Sequence, residues 1–469
     1  MSTTPLDYAR MVQALGYERT MQWFPVLAPD IQHPYDAGPD QRPASLNPLA
    51  SQLVLGRDTM EAIANLQHDL GAQPGGAPAG PESNNWAVNG PKAASGKAML
   101  AGDPHLPLKL PSLLFPMDAS SPSYDFSGYG FPGVPLIING HNKHIAWSST
   151  SVQNQATLFY VERTDGAHPH QYFWNGSWRP MQHLTYTIPV RGQPPVRQDI
   201  YLTVHGPIYP AGQGIPGETI SVDWRRALPS TNAEALLKLL TASDFGQFRS
   251  ALRLWSAPNF NFAYADDQGN IGMISPGYYP IVKAGVPWLP LPGTGESDVV
   301  GSTPFDAVPH VYDPPDHLVS SANQRPVGNT SPYYIGTSWT HDPGYRADEI
   351  AAELTSKQQL TVQDMERIQN STHDYLAGLM VPELLKALHT ASLNSIEQQA
   401  TALLDGWDGN MDAGSPAASL WWTFWSRYVL DTFEPWWKAF RVPVTAYPEL
   451  AIRPFQPSLQ EDVETWTLA

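Results

Sequence analysis

Residues 71–88 read Gly-Ala-Gln-Pro-Gly-Gly-Ala-Pro-Ala-Gly-Pro-Glu-Ser-Asn-Asn-Trp-Ala-Val. Gly71 to Glu82 is a Gly/Pro/Ala tether with almost nothing to pack. At Ser83 the texture changes to short β-like runs. A hydroxyl residue therefore stands where a floppy tether meets a strand. A cut before Ser83 would give one residue both a nucleophilic Oγ and a free amine. An α-amino group has a pKa of about 7.7–8.0, so at neutral pH it can act as a base for its own hydroxyl. A lone serine after a linker does not establish this chemistry, and a plain interdomain linker is the ordinary reading of these residues alone.

Working outward, Arg57 to Leu70 sets Met60, Ile63, Leu66 and Leu70 at helical spacing. Downstream, Trp86–Val88, Ala98–Ala101, Val134–Ile138, His144–Trp147, Thr157–Val161, Tyr172–Pro189 and Val196–Val204 read as strands between Pro/Gly turns. Ala233–Ala242 and Phe245–Trp255 read as helices. Phe262–Ala265 and Ile271–Ser275 flank Asp266-Asp267-Gln268-Gly269-Asn270, which predicts a hairpin. After about residue 345 the pattern turns helical: Ala347–Leu354, Val362–Gln369, Val381–Leu388, Ile396–Trp407 and Leu420–Phe433. Strands in the middle with helices grouped at the end suggest α+β layering.

Composition removes several function classes. The chain has 469 residues, of which 42% are hydrophobic, enough for a sizeable core. Asp+Glu 44 against Lys+Arg 27 gives a formal charge of −17, which argues against nucleic acid or an anionic membrane surface as partner. With Cys 0 there is no disulfide, thiolate metal site or Cys nucleophile. No apolar run reaches the roughly 18 residues of a membrane helix. Met1 to Thr20 lacks the basic start and apolar core of a secretory signal, so either the protein stays inside or its natural start lies upstream.

Other motifs carry little. His141-Asn142-Lys143-His144 and His168-Pro169-His170 lack a metal-binding frame and read as loop histidines. There is no Gly-x-Ser-x-Gly elbow and no phosphate-cradling Gly-x-x-x-x-Gly-Lys-Ser/Thr. Trp421, Trp422 and Trp425, and Trp436-Trp437, lie on helical stretches and read as packing residues.

One resemblance ties these pieces together. Ser83-Asn84-x-Trp86-x-Val88, Gly96-Lys97-Ala98-Met99-Leu100 and Asp103-Pro104-His105-Leu106 resemble the penicillin acylase (penicillin amidase) family of N-terminal-nucleophile hydrolases. The similarity continues through Pro132-Gly133-x-Pro135, Gly140-His141-Asn142-x-x-Ile145-Ala146-Trp147 and the run from Asn261 to Gly272. It goes on through Pro292-Gly293-Thr294-Gly295, Pro304-Phe305-Asp306, Tyr312-x-Pro314-Pro315 and Ala322-Asn323-Gln324-Arg325. It ends with Gly344-Tyr345-Arg346, Leu360-Thr361-Val362-x-Asp364-Met365 and Trp407-Asp408.

The resemblance implies an αββα sandwich, two stacked antiparallel sheets flanked by helices, with the late helical region attached. It implies a precursor that cuts itself between Glu82 and Ser83. Residues 1–70 would be an α-chain-like remnant, 71–82 the spacer, and 83–469 the β-chain-like hydrolase domain; the mature form is an α/β heterodimer. Ser83 Oγ would attack a small-molecule amide, with its own amine as base. Asn261 by its side chain and Ser151 by its backbone N–H match the oxyanion donors. His105 matches a residue that orients the amine or its water, and Leu106 and Ser149 are candidates for the acyl pocket. The expected reaction is acyl-side-chain removal of the β-lactam type, with periplasmic or extracellular location and no organic cofactor. The closest rival is cleavage of N-acyl-homoserine lactones or fatty amides on the same machinery. The others are an uncut, inactive amide- or partner-binding member, and a metal-dependent amidase using the histidine loops.

Three departures stand out. In Pro280-Ile281-Val282-Lys283-Ala284-Gly285, Val282 stands at the position of a family Arg, and Lys283 beside it would point to the other face. Gln153 to Leu158, where many members carry calcium-binding Asp residues, has no carboxylate, although Ca²⁺ takes six to eight oxygens with acidic help; an absent or weak calcium site is expected. The stretch before Ser83 reads as shorter than the family's usual α chain plus spacer, and the end at Ala469 as early, as in a fragment or a reduced member.

Overall fold

A computed structural model describes residues 4–27, 35, 82–209, 218–224, 229–328, 331–337, 340–439 and 467. The helix expected over 57–70 and the tether before Glu82 lie outside the described residues. Two helices that the sequence reading did not anticipate, α1 (Thr4–Leu15) and α2 (Tyr17–Trp23), open the chain. Tyr8, Met11 and Leu15 recur at spacings of three and four and, with Leu6, are buried.

The next strands are β1 (Glu82–Val88), β2 (Met99–His105), β3 (Phe115–Ser120), β4 (Asp125–Gly130), β5 (Ile137–Asn142) and β6 (Ile145–Ser151). They are followed by β7 (Thr157–Arg163), β8 (Gln171–Trp174), β9 (Ser177–Pro180), β10 (Gln182–Ile188), β11 (Val196–Thr203), β12 (Gly206–Tyr209) and β13 (Glu218–Trp224). Helices α3 (Asn232–Leu239) and α4 (Phe245–Leu252) precede β14 (Phe260–Asp266), β15 (Ile271–Ile274), β16 (Pro280–Val282), β17 (Leu291–Pro292), β18 (Val299–Ser302), β19 (His310–Tyr312) and β20 (Leu318–Ser321). The chain then runs through α5 (Tyr345–Thr355), α6 (Val362–Gln369), α7 (Tyr375–Thr390), α8 (Ser395–Asp405) and α9 (Pro416–Ala439).

The sandwich is built around β1. It lies between β2 and β20, antiparallel to both. Trp86 and Val88 on one face pack against Ala347, Ile350 and Leu354 of α5 and Met365 and Ile368 of α6. Ala87 on the other face meets Ala263, Ala265, Ile271 and Met273 of a seven-stranded antiparallel sheet, ordered β19-β15-β14-β6-β5-β4-β3. The far side of that sheet is covered by α3 and α4 through Leu236, Leu239, Phe248 and Leu252, against Trp147, Phe262 and Tyr264. The four layers are helix, sheet, sheet and helix, as the fold class requires. Where β2 crosses β6 the layers nearly touch: a Cβ on Gly102 would lie 1.9 Å from Ser148 Oγ.

The expected hairpin is β14–β15. Gly269 supplies its turn at φ +93°, and Asp266 Oδ1 accepts the N–H groups of Gln268 at 3.0 Å and Asn270 at 2.8 Å. The strand expected over 172–189 is instead β8, β9 and β10, because Asn175 and Gly176 take positive φ and turn the chain. These strands belong to a sheet ordered β10-β11-β12-β13-β7-β8-β9. The late helices divide into two groups. Helices α5 and α6 form an outer layer of the sandwich, whereas α7 to α9 pack with α1 and with Phe159 and Ile220 of the outlying sheet. Trp421 and Trp425 are fully buried there, stacked at 5.5 Å, as their helical spacing suggested.

The outlying sheet also holds a buried charge cluster absent from the sequence reading. Glu162 Oε1 accepts from Thr203 Oγ1 at 2.7 Å and Ser221 Oγ at 2.7 Å, and lies 2.8 Å from His205 Nδ1. His205 Nε2 is 2.9 Å from Asp298, and its ring stacks on Tyr160 at 3.9 Å. Burial alone would lower the imidazole pKa, but the bonds and charges of Glu162 and Asp298 outweigh it, and the pKa is raised.

Candidate active site

Strand alternation decides what Ser83 can reach. Side chains at 83, 85 and 87 share one face of β1. Asn85 on that face donates to the carbonyls of Ser148 and Asn261, at 3.0 Å each. Ser83 is therefore directed toward the seven-stranded sheet, and it is 5% exposed. Its main-chain N donates to Asn323 Oδ1 at 2.6 Å, and its carbonyl accepts from Arg346 Nη1 at 3.0 Å. Arg346 also donates to Asn84 Oδ1 at 2.6 Å, Ala322 O at 2.8 Å and Asn323 Oδ1 at 3.1 Å, and pairs with Asp342 at 2.8 Å.

Asn261 lies on the same inner face of β14, opposite Thr150 of β6. It is fully buried, and its Nδ2 donates to Thr150 Oγ1 at 3.1 Å and Ser321 Oγ at 2.9 Å. Its Oδ1 accepts from Ser275 Oγ at 2.5 Å and from Tyr35 OH at 3.1 Å. A substrate oxygen that took one of the Nδ2 protons would displace a neutral hydroxyl oxygen as acceptor, and the two hydroxyls keep their bond to each other, Thr150 Oγ1 lying 2.8 Å from Ser321 Oγ.

Ser151 contributes through its backbone. Val152 N donates to Asn259 O at 3.0 Å, so Thr150 and Asn261 form a hydrogen-bonded pair and Ser151 and Phe260 do not. The N–H and C=O of Ser151 therefore point away from β14. The carbonyl accepts from Asn323 Nδ2 at 2.7 Å. Ser83, Asn323, Ser151, Ser321 and Asn261 thus form one connected polar cluster.

The remaining candidates sit elsewhere. His105 is opposite Glu82 in the β1–β2 register, so its ring lies on the other face from the Ser83 side chain. It bonds Asp103 at 2.9 Å, and that bond holds the Asp103 carboxyl below the ordinary range. It lies 3.4 Å from Asn84 Nδ2. With Asn84, Asp103, Arg346, Glu349 and His373 it lines a cavity of about 520 Å³ under α5. Leu106 follows β2 and is half-buried. Ser149 N and Oγ both donate to Asn139 Oδ1, at 2.8 and 2.7 Å, so its hydroxyl faces the α3–α4 side. Val282 packs on the Leu158, Tyr160 and Leu291 cluster, and Lys283 is exposed.

The calcium segment does not fit a calcium ion. It offers no carboxylate, Asn154 Nδ2 donates to Tyr278 O at 3.1 Å, and Gln155 bonds Pro287 O and, at 2.5 Å, Tyr334 OH. Among the described residues no group of three or more His, Asp or Glu has a metal-holding arrangement. His144 bonds Asp267 at 3.0 Å, His168 bonds Asp165 at 2.7 Å, and His170 stacks on Tyr201. No helix among the described residues is long and apolar enough to cross a membrane.

Asn323 and Arg346 are the site residues that the sequence reading quoted without a role. Their signal was polar residues inside matched motifs, but only folding shows that the segment after β20 and helix α5 converge on Ser83 of β1.

A family model described as penicillin amidase matches residues 2–467. The chain is 32% identical over 344 residues to a penicillin acylase 2 proenzyme of Pseudomonas sp. (strain SE83), covering 73% of this chain and 44% of that one. It is 28% identical over 444 residues to the acyl-homoserine lactone acylase QuiP of Pseudomonas fluorescens (strain Pf0-1), covering 90% and 53%. The chain thus spans about half the length of the curated relatives it matches. A thermostable penicillin G acylase from Alcaligenes faecalis shares the fold, with TM-score 0.66 and 24% identity over 77% of this chain and 66% of that one.

Proposed function

The chain belongs to the penicillin amidase family, and from that premise we propose that it hydrolyses linear amides through Ser83 as an N-terminal nucleophile. The observation that carries this reading is the cluster in which Asn323 joins Ser83 N to Ser151 O beside the buried Asn261. Cleavage of the Glu82–Ser83 bond converts Ser83 N into a free amine and leaves an α/β heterodimer. Ser83 Oγ then attacks the amide carbonyl while the amine accepts its proton, through a bridging water. The oxyanion is held by Asn261 Nδ2 and Ser151 N–H, each worth about 2.7–4 kcal/mol in comparable sites. Collapse breaks the C–N bond, the leaving amine takes the proton, and an ester to Ser83 remains. Water hydrolyses that ester and restores the hydroxyl and the amine.

In this reading His105 acts from the far face of β1, through Asp103 and Asn84, on the strand that Arg346 anchors. Leu106 borders the acyl pocket, and Ser149 contributes main chain because its hydroxyl is held by Asn139. The acyl group is apolar. Side-chain removal from a β-lactam is the representative reaction, and the QuiP relative, matched over 90% of this chain, favours acyl-homoserine lactones as second reading. Export to the periplasm or medium follows the family.

Intact-mass measurement with N-terminal sequencing of the expressed protein tests the proposal. A long fragment beginning at Ser83 is expected, absent in Ser83→Ala, together with turnover of arylacetyl or fatty-acyl chromogenic amides. Only full-length chain after prolonged incubation, with no amide turnover, would overturn it. A panel spanning both acyl types separates the two readings.

A further inference from the structure

We propose that Asn323 is the positioning residue for the freed α-amino group of Ser83, and that it ties this base to the oxyanion strand. The inference rests on the reading of Ser83 as N-terminal nucleophile and deepens it. Asn323 Oδ1 lies 2.6 Å from Ser83 N, and its Nδ2 lies 2.7 Å from Ser151 O. One side-chain amide therefore spans the base and the residue whose N–H faces the developing charge.

The amide orientation is fixed chemically. Ser151 O can only accept, so the nitrogen of Asn323 must face it and the oxygen must face Ser83. That oxygen serves Ser83 N in both states: as a peptide N–H before the cut and as an amine after it. The contact need not be rebuilt on maturation. Asn323 is fully buried at φ 70°, a left-handed conformation that Asn tolerates better than most side chains. Arg346 Nη2 holds the same Oδ1 at 3.1 Å and the preceding carbonyl, Ala322 O, at 2.8 Å.

The charged groups around Ser83 N are Arg346 with its partner Asp342 on the α5 side, and Asp103 with His105 on β2. Toward β6, β14 and β20, Asn323 links it to the neutral Ser151, Ser321, Thr150 and Asn261. A charge introduced at position 323 therefore acts directly on the amine.

The test compares Asn323→Ala and Asn323→Asp with wild type in self-cleavage rate, in the pH profile of kcat/KM, and in thermal unfolding. Asn323→Ala is expected to slow both self-cleavage and turnover, roughly 100-fold for a misplaced base, with no movement of the acid limb. Asn323→Asp sets a carboxylate against the amine, and its acid limb is expected to move to higher pH by about one unit. Wild-type rates in a folded Asn323→Ala overturn the assignment. So does an Asn323→Asp profile lowered evenly with an unmoved limb, which is what a merely structural Asn gives. Where Asn323→Asp fails to cut itself, Asn323→Ala decides: a slowed cut at unchanged unfolding temperature supports the assignment, and an unchanged rate overturns it. Wild-type protein that never exposes Ser83 as a terminus refutes the parent reading instead, and mass analysis shows this before any variant is made.

Discussion

The side-chain amide of Asn85 donates to the carbonyl of Asn261 at 3.0 Å, so the residue two beyond the candidate nucleophile is bonded to the main chain of the oxyanion candidate. The same nitrogen also donates to Ser148 O at 3.0 Å. One buried side chain thereby fixes the register of the small sheet over the large one, and with it the separation of Ser83 from Asn261.

Asn85→Asp should therefore be severe. A carboxylate in place of the amide would face two carbonyl oxygens in a fully buried site. A loss of about 3 kcal/mol or more is expected, against about 1–3 kcal/mol for Asn85→Ala, which removes the donor without adding a charge. Denaturant unfolding measures both, and equal losses would show that the amide does not set the register.

Gly102→Ala tests the layer spacing. The added Cβ would meet Ser148 Oγ at 1.9 Å and Ser148 Cβ at 2.5 Å. Overpacking of this kind costs about 1–3 kcal/mol. Ser148→Gly removes both atoms, so the double variant should recover most of the loss. A strictly additive double-mutant cycle would mean that the strain lies elsewhere.

Asn261→Ala and His105→Ala should differ in kinetics. Removing an oxyanion donor lowers kcat by about 10²–10³-fold with KM little changed. His105 reaches Ser83 only through Asp103 and Asn84, so its loss should cost clearly less. Single-turnover acylation rates of the two variants check this order, and a His105→Ala defect as deep as that of Asn261→Ala would contradict it.

The Glu162–His205–Asp298 cluster should make stability depend on pH. The His205 pKa is raised in the folded protein, so its contribution is complete below the unfolded value of about 6.5. The contribution is lost as pH rises from there through the folded value. Wild-type Tm should fall across that interval, and His205→Gln should have a lower Tm with a flatter dependence. An unchanged slope in His205→Gln would assign the effect to another group.

Much of this was legible before folding. The hairpin about Asp266–Asn270 was readable because turn chemistry is local. The helices after residue 345 were readable because apolar spacing reports one buried face. Ser83, Ser151 and Asn261 could be named as a set because their motifs occur in order along the chain. The helices over Thr4–Trp23 were missed because their apolar face makes sense only against α7 to α9 and the outlying sheet.

The sequence by itself determined which residues are candidates for chemistry, since a hydroxyl at the head of a strand, an amide in a hairpin and a segment without carboxylates are facts of composition and order. Tertiary structure alone decided which of them meet. Strand pairing assigns Ser83 and Asn261 to facing surfaces and turns His105 and the Ser149 hydroxyl away, because side chains alternate with a period of two and a shift of one residue changes the face. It also brought Asn323 and Arg346, far along the chain, onto the main chain of Ser83, a contact between distant segments that no local pattern encodes.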